Sequence, residues 1–468
     1  MNILPIPIVW AIGGSDCSGH AGLQADLKTL QSLAVHGASI VTAITAQNSQ
    51  QVHAIYPLSV GQVIAQYHAL QQDLPPQAIK IGMMTNKTIF NQLLPLLIDL
   101  DVPVIYDPVM HSTTGVNLSN QGSIDALLQH AQSIDLLTPN TVEAGCLTGR
   151  SVETENDMIA AAQVLLKQGF KRILLKGGHL IDSLSWQNTM TERLSDYYLD
   201  HTRGFWLTTD RICHDNNRGT GCTLASAIAA FIAQHCQFED AVVLAKGYIQ
   251  QGLKQAIQIG QGQGPVQQTI LPIRAENLPI VTDGQFSKQT RLSFAPHPIE
   301  HMGLYAIVDN LAELKRMVRL SIPVVQLRIK NQPLAQIEQH IKTAVALTAQ
   351  TDTRLYINDY WQLACRYRAY GVHLGQEDLE TADLLYIAQQ GLRLGISTHC
   401  EYELQRAQAL SPSYVALGPI FATNSKPMRF APQGIERLRD WRRYVDGPLV
   451  AIGGIDFENI DQVWATGV

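Results

Sequence analysis

The sequence predicts an α/β protein in two units, an open α/β sheet followed by a (β/α)8-type barrel that stops after its seventh βα unit. Three observations carry this. Short β-rich apolar runs alternate with longer amphipathic ones along most of the chain, the pattern of strands separated by helices. That rhythm breaks once, in GQGQGPVQQTILPIRAENLPIVTDGQFSKQ, a Gly-, Gln- and Pro-rich stretch without a period. It reads as a linker, taken as 267–300. The rhythm that resumes at Gly303 has seven evenly spaced strand-like runs, where a closed barrel needs eight.

Composition sets the outer limits. A chain of 468 residues is long enough for two or three domains. Its 34 basic and 40 acidic residues give a net charge of −6, with no basic block or aromatic-basic stripe for nucleic acid and no polybasic patch for a membrane. Apolar runs are interrupted before the roughly 20 residues a membrane span requires. The opening MNILPIPIVWAIGG lacks the basic flank and cleavage site of a secretory signal. Seven cysteines, at 17, 146, 213, 222, 236, 365 and 400, are odd in number and form no CxxC pair. This argues against a disulfide framework or zinc site and for a reducing cytoplasm.

In the first unit the strand candidates are IVWAI, SIVTAITA, AIKIGMM, VPVIYDP, IDLLTP and RILLKGG, with LQADLKTLQSLA and ENDMIAAAQVLLKQG among the amphipathic runs between them. Gly13, Gly14, Gln47, Asp107, Asn140 and Lys176 gather where these strands end, the edge at which open α/β sheets bind ligands. AIGGSDCSGHAGLQADLKT is a glycine-rich loop between a strand and a helix, and Asp26 on that helix can hydrogen-bond a polar ring. TPNTVEA spaces Asn140 and Glu143 for either one Mg²⁺ or ordinary helix capping. In LLKGGH, Lys176 is either a phosphate-neutralising cation or a solvated lysine. NNRGTGCTLASAIAAF turns through Gly219, Thr220 and Gly221 straight into an alanine-rich helix. Outward N–H groups at such a start make an anion site. Cys222 is there either an activated thiolate or a small residue in a crowded turn.

In this order, GGSDCSGHAGLQADLKT, TAITAQNS, KIGMM, DPVM, TPNTVEA, LLKGGH and GTGCTLASAIA resemble the hydroxymethylpyrimidine/phosphomethylpyrimidine kinases of thiamine biosynthesis, of the ribokinase-like superfamily, over residues 1–266. The resemblance implies a ribokinase-like α/β sandwich that uses ATP and Mg²⁺ to phosphorylate the pyrimidine alcohol and then its monophosphate. It implies pyrimidine contacts from Asp26, Gln47, Gly14 and Met83, and nucleotide and Mg²⁺ contacts from Asp107, Asn140, Glu143 and Lys176. The Gly219–Cys222 turn, Thr220 and Gly221 included, becomes the anion hole, with Lys176 close by and Cys222 as base where the superfamily has aspartate. It also implies a homo-oligomer, a dimer through the kinase domain. Two residues depart from the family: His20 stands for a glycine, and Arg218 for a histidine. An arginine there still suits phosphate.

The seven runs of the second unit are LYAIVD, VVQLRIK, RLYIND, GVHLG, RLGIS, YVALGPIF and PLVAIGGI. In a strand, VVQLRIK turns Gln326, Arg328 and Lys330 to one face, where two cations call for an anionic ligand. Asp359 and Asp378 follow adjacent strands, as an Mg²⁺ pair or as a turn residue and a helix cap. Ser397, Thr423, Ser425 and Lys426 sit at later strand ends, and Gly453 and Gly454 follow the seventh, where barrels bind phosphate. His373 and His399 lack metal spacing and read as packed histidines.

From 301 to 468 this set resembles thiamine-phosphate synthase. The resemblance implies diphosphate contacts from Gln326, Arg328, Lys330 and Asn358, and Mg²⁺ on Asp359 and Asp378. Ser397 and Lys426 take the pyrimidine; Thr423, Ser425 and Gly453 take thiazole phosphate. In the family a further strand follows ATGV, and here the sequence stops at Val468. The expectation is a cytoplasmic enzyme in which the kinase makes the pyrimidine diphosphate and the barrel joins it to thiazole phosphate. Two rivals are a kinase carrying a dead barrel as a product-binding module, and a broader pyridoxal-type kinase.

Overall fold

Strands buried on both faces must be apolar throughout, and the six runs read from the first unit become its parallel strands. The computed structural model describes residues 6–110, 121–178, 192–269, 271–283, 292–297, 302–423 and 430–468. The chain divides into compact units at Gly284 and Gln285.

The first unit contains β1 (Ile8–Asp16), β2 (His36–Gln47), β3 (Val52–Pro57), β4 (Ala78–Ile81), β5 (Val104–Tyr106), β6 (Leu136–Leu137), β7 (Arg172–Leu175), β8 (Arg193–Asp200), β9 (Gly204–Asp210) and β10 (Ile280–Asp283). They form one sheet in the order β10-β9-β8-β7-β6-β5-β4-β1-β2-β3. β1, β2 and β4 to β7 pair in parallel. β3 at one edge and β8 to β10 at the other are antiparallel. The chain switches direction across the sheet at β1, which lies between β2 and β4. Such a switch point opens a crevice at the strand ends.

Trp10 and Ile12 of β1, Ile79 and Ile81 of β4 and Leu137 of β6 pack with Phe90, Leu93 and Leu97 of the helix Lys87–Ile98. The helix Thr220–Ala233 is buried continuously from Thr223 to Ala233. A helix covered on every side needs small side chains to let its neighbours approach, which accounts for its alanines. Part of the expected linker is built into this unit: Val281 of β10 pairs with Leu207 of β9.

The second unit contains β11 (Tyr305–Val308), β12 (Val324–Leu327), β13 (Arg354–Asn358), β14 (Gly371–Leu374), β15 (Arg393–Thr398), β16 (Tyr414–Leu417) and β17 (Leu449–Ala451). Each pairs in parallel with the next in chain order, as in a TIM-like barrel. Alternation sorts the side chains into two layers. Val325, Leu327, Leu355, Ile357, Val372 and Leu394 join the helices in one buried cluster, and Val324, Tyr356, Tyr414, Ala416 and Val450 form another. Gly395 has no side chain because the Tyr414 ring fills the space a Cβ needs.

Candidate active sites

The first site is built where the ends of β5 and β7 meet a helix start. Gly219, the residue before the helix Thr220–Ala233, has φ 76°, and an added Cβ would collide with the His20 carbonyl. Only glycine fits that turn. A Cβ on Gly221 would lie 3.2 Å from Asp107 Oδ2 and 3.4 Å from Lys176 Nζ. The helix N-terminus therefore rests directly against that pair. Lys176 Nζ donates to Asp107 Oδ1 at 2.8 Å, and Thr138 Oγ1 donates to the same oxygen at 3.0 Å. Glu143 and Asn140 cap the helix Thr141–Thr148 reciprocally, each backbone N–H bonding the other's side chain at 2.8 Å. Capping is thus real here, and it holds Glu143 beside the ion pair. Burial pushes the Glu143 carboxyl up to about 7 against the pull of Lys176, and Asp107 adds to the rise. Two acids, one ammonium and a helix N-terminus suit a phosphate with its counter-cation.

The thiolate expected at Cys222 is corrected. Burial pushes the thiol up to about 11; Lys80 pulls it down, while Asp26 and Asp107 raise it further. The helix start does not offset the lost solvation, so the resting group is a thiol.

Asp26 is fixed in the core. It is 1% exposed, and Lys80 Nζ donates to its two oxygens at 2.9 and 2.8 Å. Ser226 Oγ donates to Oδ1 at 2.8 Å. Those bonds engage both oxygens and make Asp26 a strut, bracing the helix Gly22–Ser32 against β4 and the helix Thr220–Ala233. Burial pulls Lys80 down, but Asp26, Cys222 and Asp107 outweigh it and hold the ammonium above its usual range. Lys80 was missed in the sequence, although a lysine inside the apolar run AIKIGMM was its signal. Gly14 of β1 meets Met83, which follows β4, while Gln47 ends β2. A Cβ on Gly14 would lie 2.9 Å from Met83 Cε, and Cys17 Sγ donates to the Gln47 carbonyl at 3.1 Å.

Arg218 is buried beside the turn after β2. It is 2% exposed, and its Nη1 donates to the Asn48 carbonyl at 2.9 Å. Its backbone bonds Gly264 and Val266. It ties the turn after β2 to the start of the helix Thr220–Ala233. Burial, and after it Arg218, lowers the His20 imidazole.

In the second unit β12 ends at Leu327, so Arg328 and Lys330 lie in the following loop rather than on a shared strand face. Lys330 forms an ion pair with Asp359, which follows β13 with φ 62°. Asp378 faces Asp359: burial raises its carboxyl and Asp359 raises it further. The expected carboxylate pair is assembled, with Lys330 beside it. Asp378 also accepts from the Gly375 N–H at 3.2 Å, the capping contact. Asn358 ends β13 and is 6% exposed. Gln326 is turned inward, its amide donating to Tyr305 Oη at 3.0 Å. Ser397 meets His373 at 2.7 Å. Gly453 has φ 92° and accepts from the Phe421 N–H at 3.0 Å, laying the turn after β17 against the loop that carries Thr423. His399 is packed, bonded to Glu403 at 2.8 Å. Ser425 and Lys426 lie outside the described residues.

Comparison with known proteins decides between chemistries. Residues 16–267 match the phosphomethylpyrimidine kinase family, and residues 304–468 match the thiamine monophosphate synthase family. The chain belongs to both families. Its synthase half is 53% identical over 174 residues to thiamine-phosphate synthase of Yersinia pseudotuberculosis, covering 37% of this chain and 81% of that protein. A rice protein named probable thiamine biosynthetic bifunctional enzyme, chloroplastic, is 29% identical over 486 residues, 99% of this chain and 84% of its own. The kinase half is similar to the structure of pyridoxal kinase from Staphylococcus aureus, with a TM-score of 0.53 and 29% identity over 59% of this chain and 98% of that one. The chain therefore carries a ribokinase-like kinase domain and a TIM-like thiamine-phosphate synthase domain, a bifunctional arrangement for thiamine biosynthesis. No described helix is long and apolar enough to cross a membrane, and none of the seven cysteines is in a disulfide.

Proposed function

We propose that the kinase domain converts 4-amino-5-hydroxymethyl-2-methylpyrimidine to its monophosphate and then its diphosphate, and that the synthase domain joins the diphosphate to thiazole phosphate. The observation that carries the kinase half is the Asp107–Lys176 pair held against Gly221 at the helix start. Phosphoryl transfer asks a protein mostly for positioning and charge stabilisation. Lys176 and the N–H groups of the helix start supply that charge at the transferred group. Asp107 and Glu143 would hold an Mg²⁺: burial pushes Glu143 up to about 7 and Asp107 adds to the rise against the pull of Lys176, so a second cation there is favourable. Mg²⁺ and ATP would bring the phosphoryl donor and its charge neutralisation. Cys222 meets the substrate hydroxyl as a thiol that positions it, rather than as a preformed thiolate. Gly14, Gln47 and Met83 shape the ring pocket.

In the barrel, Arg328, Lys330 and Asn358 hold the diphosphate, and Asp359 and Asp378 would hold an Mg²⁺, since burial and then the Asp359 charge raise the Asp378 carboxyl. Ser397, with Lys426, is assigned to the pyrimidine, and Thr423 and Gly453, with Ser425, to the thiazole phosphate. Cleaving the pyrimidine C–O bond needs the leaving pyrophosphate neutralised, which those cations provide. A cytoplasmic enzyme, dimeric through its kinase domain, suits this reading. The likeness to a pyridoxal kinase structure favours a second reading of the kinase pocket, in which pyridoxal-type alcohols are also accepted. Incubation with ATP, Mg²⁺ and each alcohol in turn separates the two: mono- and diphosphate from the pyrimidine support the first, and phosphate on pyridoxal alone overturns it.

A further inference from the structure

One buried ion pair of the kinase unit has no part in the chemistry above. Lys246 of the helix Phe238–Lys254 donates from Nζ to Asp196 Oδ2 of β8 at 2.6 Å, and the two side chains are 14% and 4% exposed. The other carboxylate oxygen, Oδ1, accepts the Gly177 backbone N–H at 3.0 Å. Gly177 directly follows Lys176, whose ammonium is paired with Asp107 at the helix start.

The end of the strand ladder explains why a side chain is needed there. β7 and β8 pair antiparallel as far as Leu175 and Tyr197. Past that point the Ser195 carbonyl lies so close to Gly177 that an added Cβ would come within 2.1 Å of it. Glycine lets the two chains touch, and the Asp196 carboxylate takes the N–H that the ladder no longer serves. A buried N–H left without a partner is costly. A carboxylate placed this deep needs a counter-charge in turn, and Lys246 brings one from a different element.

The consequence reaches Lys176. Its own N–H donates to the carbonyl of Pro139, just past β6, at 2.8 Å. The next N–H along the chain is the one held by Asp196. Two consecutive peptides are thus pinned from the two strands that flank β7. A planar peptide on each side leaves the residue between them two soft dihedrals. Pinning both peptides fixes those dihedrals, and with them the direction in which the Lys176 side chain leaves the backbone.

We infer that Asp196, held in turn by Lys246, is a positioning residue for Lys176: it fixes the peptide that follows the lysine and so aims the ammonium at the transferred phosphoryl group. The inference rests on the phosphate role proposed for Lys176.

Paired substitutions in the full chain separate the bond from the charge. Asp196→Asn with Lys246→Met removes both charges and leaves an amide oxygen to accept from Gly177. Asp196→Ala with Lys246→Met removes the acceptor as well, and Asp196→Leu, which refills the volume, replaces it if the alanine variant is unstable. Denaturation curves report the folded fraction of each. The kcat for phosphorylating the pyrimidine alcohol is expected to stay within about threefold of wild type in the first pair and to fall about a hundredfold in the second, as misaiming of a reacting group predicts. The KM for the alcohol should stay the same in both. With Lys176→Met added, the two pairs should turn over equally in single-turnover assays, because nothing is left to aim. Equal rates for the two pairs while Lys176 is present would overturn the inference, as would a difference that persists without it. A Lys176→Met variant with wild-type turnover would overturn the phosphate role itself, and the inference with it.

Discussion

The two domains solve the same problem, holding cations beside carboxylates at the ends of parallel strands, at opposite depths. In the kinase the Lys80–Asp26 pair is 1% exposed on each side, and Lys176 and Asp107 are 16% and 2% exposed. In the barrel, Lys330 and Asp359 are 44% and 19% exposed. Depth changes what a charge does. Buried groups are desolvated, shift one another and are preorganised for a dry transfer. Exposed ones are screened by water and salt, contribute little to the fold, and wait for a ligand to order them.

The largest expected effect is on the kinase, where Lys176→Met should lower turnover by about a thousandfold while thiamine phosphate formation from supplied pyrimidine diphosphate continues. Equal loss of both activities would mean the two sites are not separate. Next is stability: Lys80→Met strands Asp26 in the core, and chemical denaturation of the kinase unit should show a loss of about 3–5 kcal/mol. A loss under 1 kcal/mol would mean the pair is not buried as described. Cys222→Ala should reduce phosphorylation about tenfold, as loss of one positioning hydrogen bond predicts, with the melting temperature unchanged. In the wild-type pH–rate profile an inflection near 7 should belong to Glu143 and disappear in Glu143→Gln; one that survives that change and disappears in Cys222→Ala would revive the preformed base.

At the exposed pair the contrast should show most plainly. Lys330→Met should change stability by less than about 1 kcal/mol yet raise the KM for the pyrimidine diphosphate. A large destabilisation would erase the distinction drawn between the two domains.

The smallest effect is pH-dependent. The fold raises Glu143 from its ordinary 4.5 to about 7, so it favours the protonated acid. The stability this contributes is complete below 4.5 and is lost as pH rises through about 7. Glu143→Gln, which keeps the cap, should therefore gain melting temperature relative to the wild type between pH 4.5 and 8. Parallel curves would show that Glu143 ionises freely.

Much of this was legible because parallel strands carry their burial in their composition. VPVIYDP and RILLKGG could be found, and with them the strand-end residues Asp107 and Lys176. All seven barrel strands were visible for the same reason. β3 and β8 to β10 were not: antiparallel edge strands such as VHAIYP and RLSDYYLD mix polar and apolar residues and look like loop. The end of β12 was misplaced because alternation in VVQLRIK continues past the last paired residue, Leu327. The environment of Cys222 was beyond the sequence, since it depends on Asp26, Lys80 and Asp107 arriving from three other elements. The bond from Asp196 to Gly177 joins β8 to the turn after β7, and no local pattern announces it.

The most direct test of the account places the full chain in one vessel with the pyrimidine alcohol, thiazole phosphate, ATP and Mg²⁺, and follows phosphorylated products by ³¹P NMR and chromatography. The account predicts pyrimidine monophosphate, then diphosphate, then thiamine phosphate with pyrophosphate; with Lys176→Met, thiamine phosphate should return only when pyrimidine diphosphate is added. Failure of the wild-type chain to phosphorylate the alcohol, or accumulation of diphosphate with no thiamine phosphate, would contradict it.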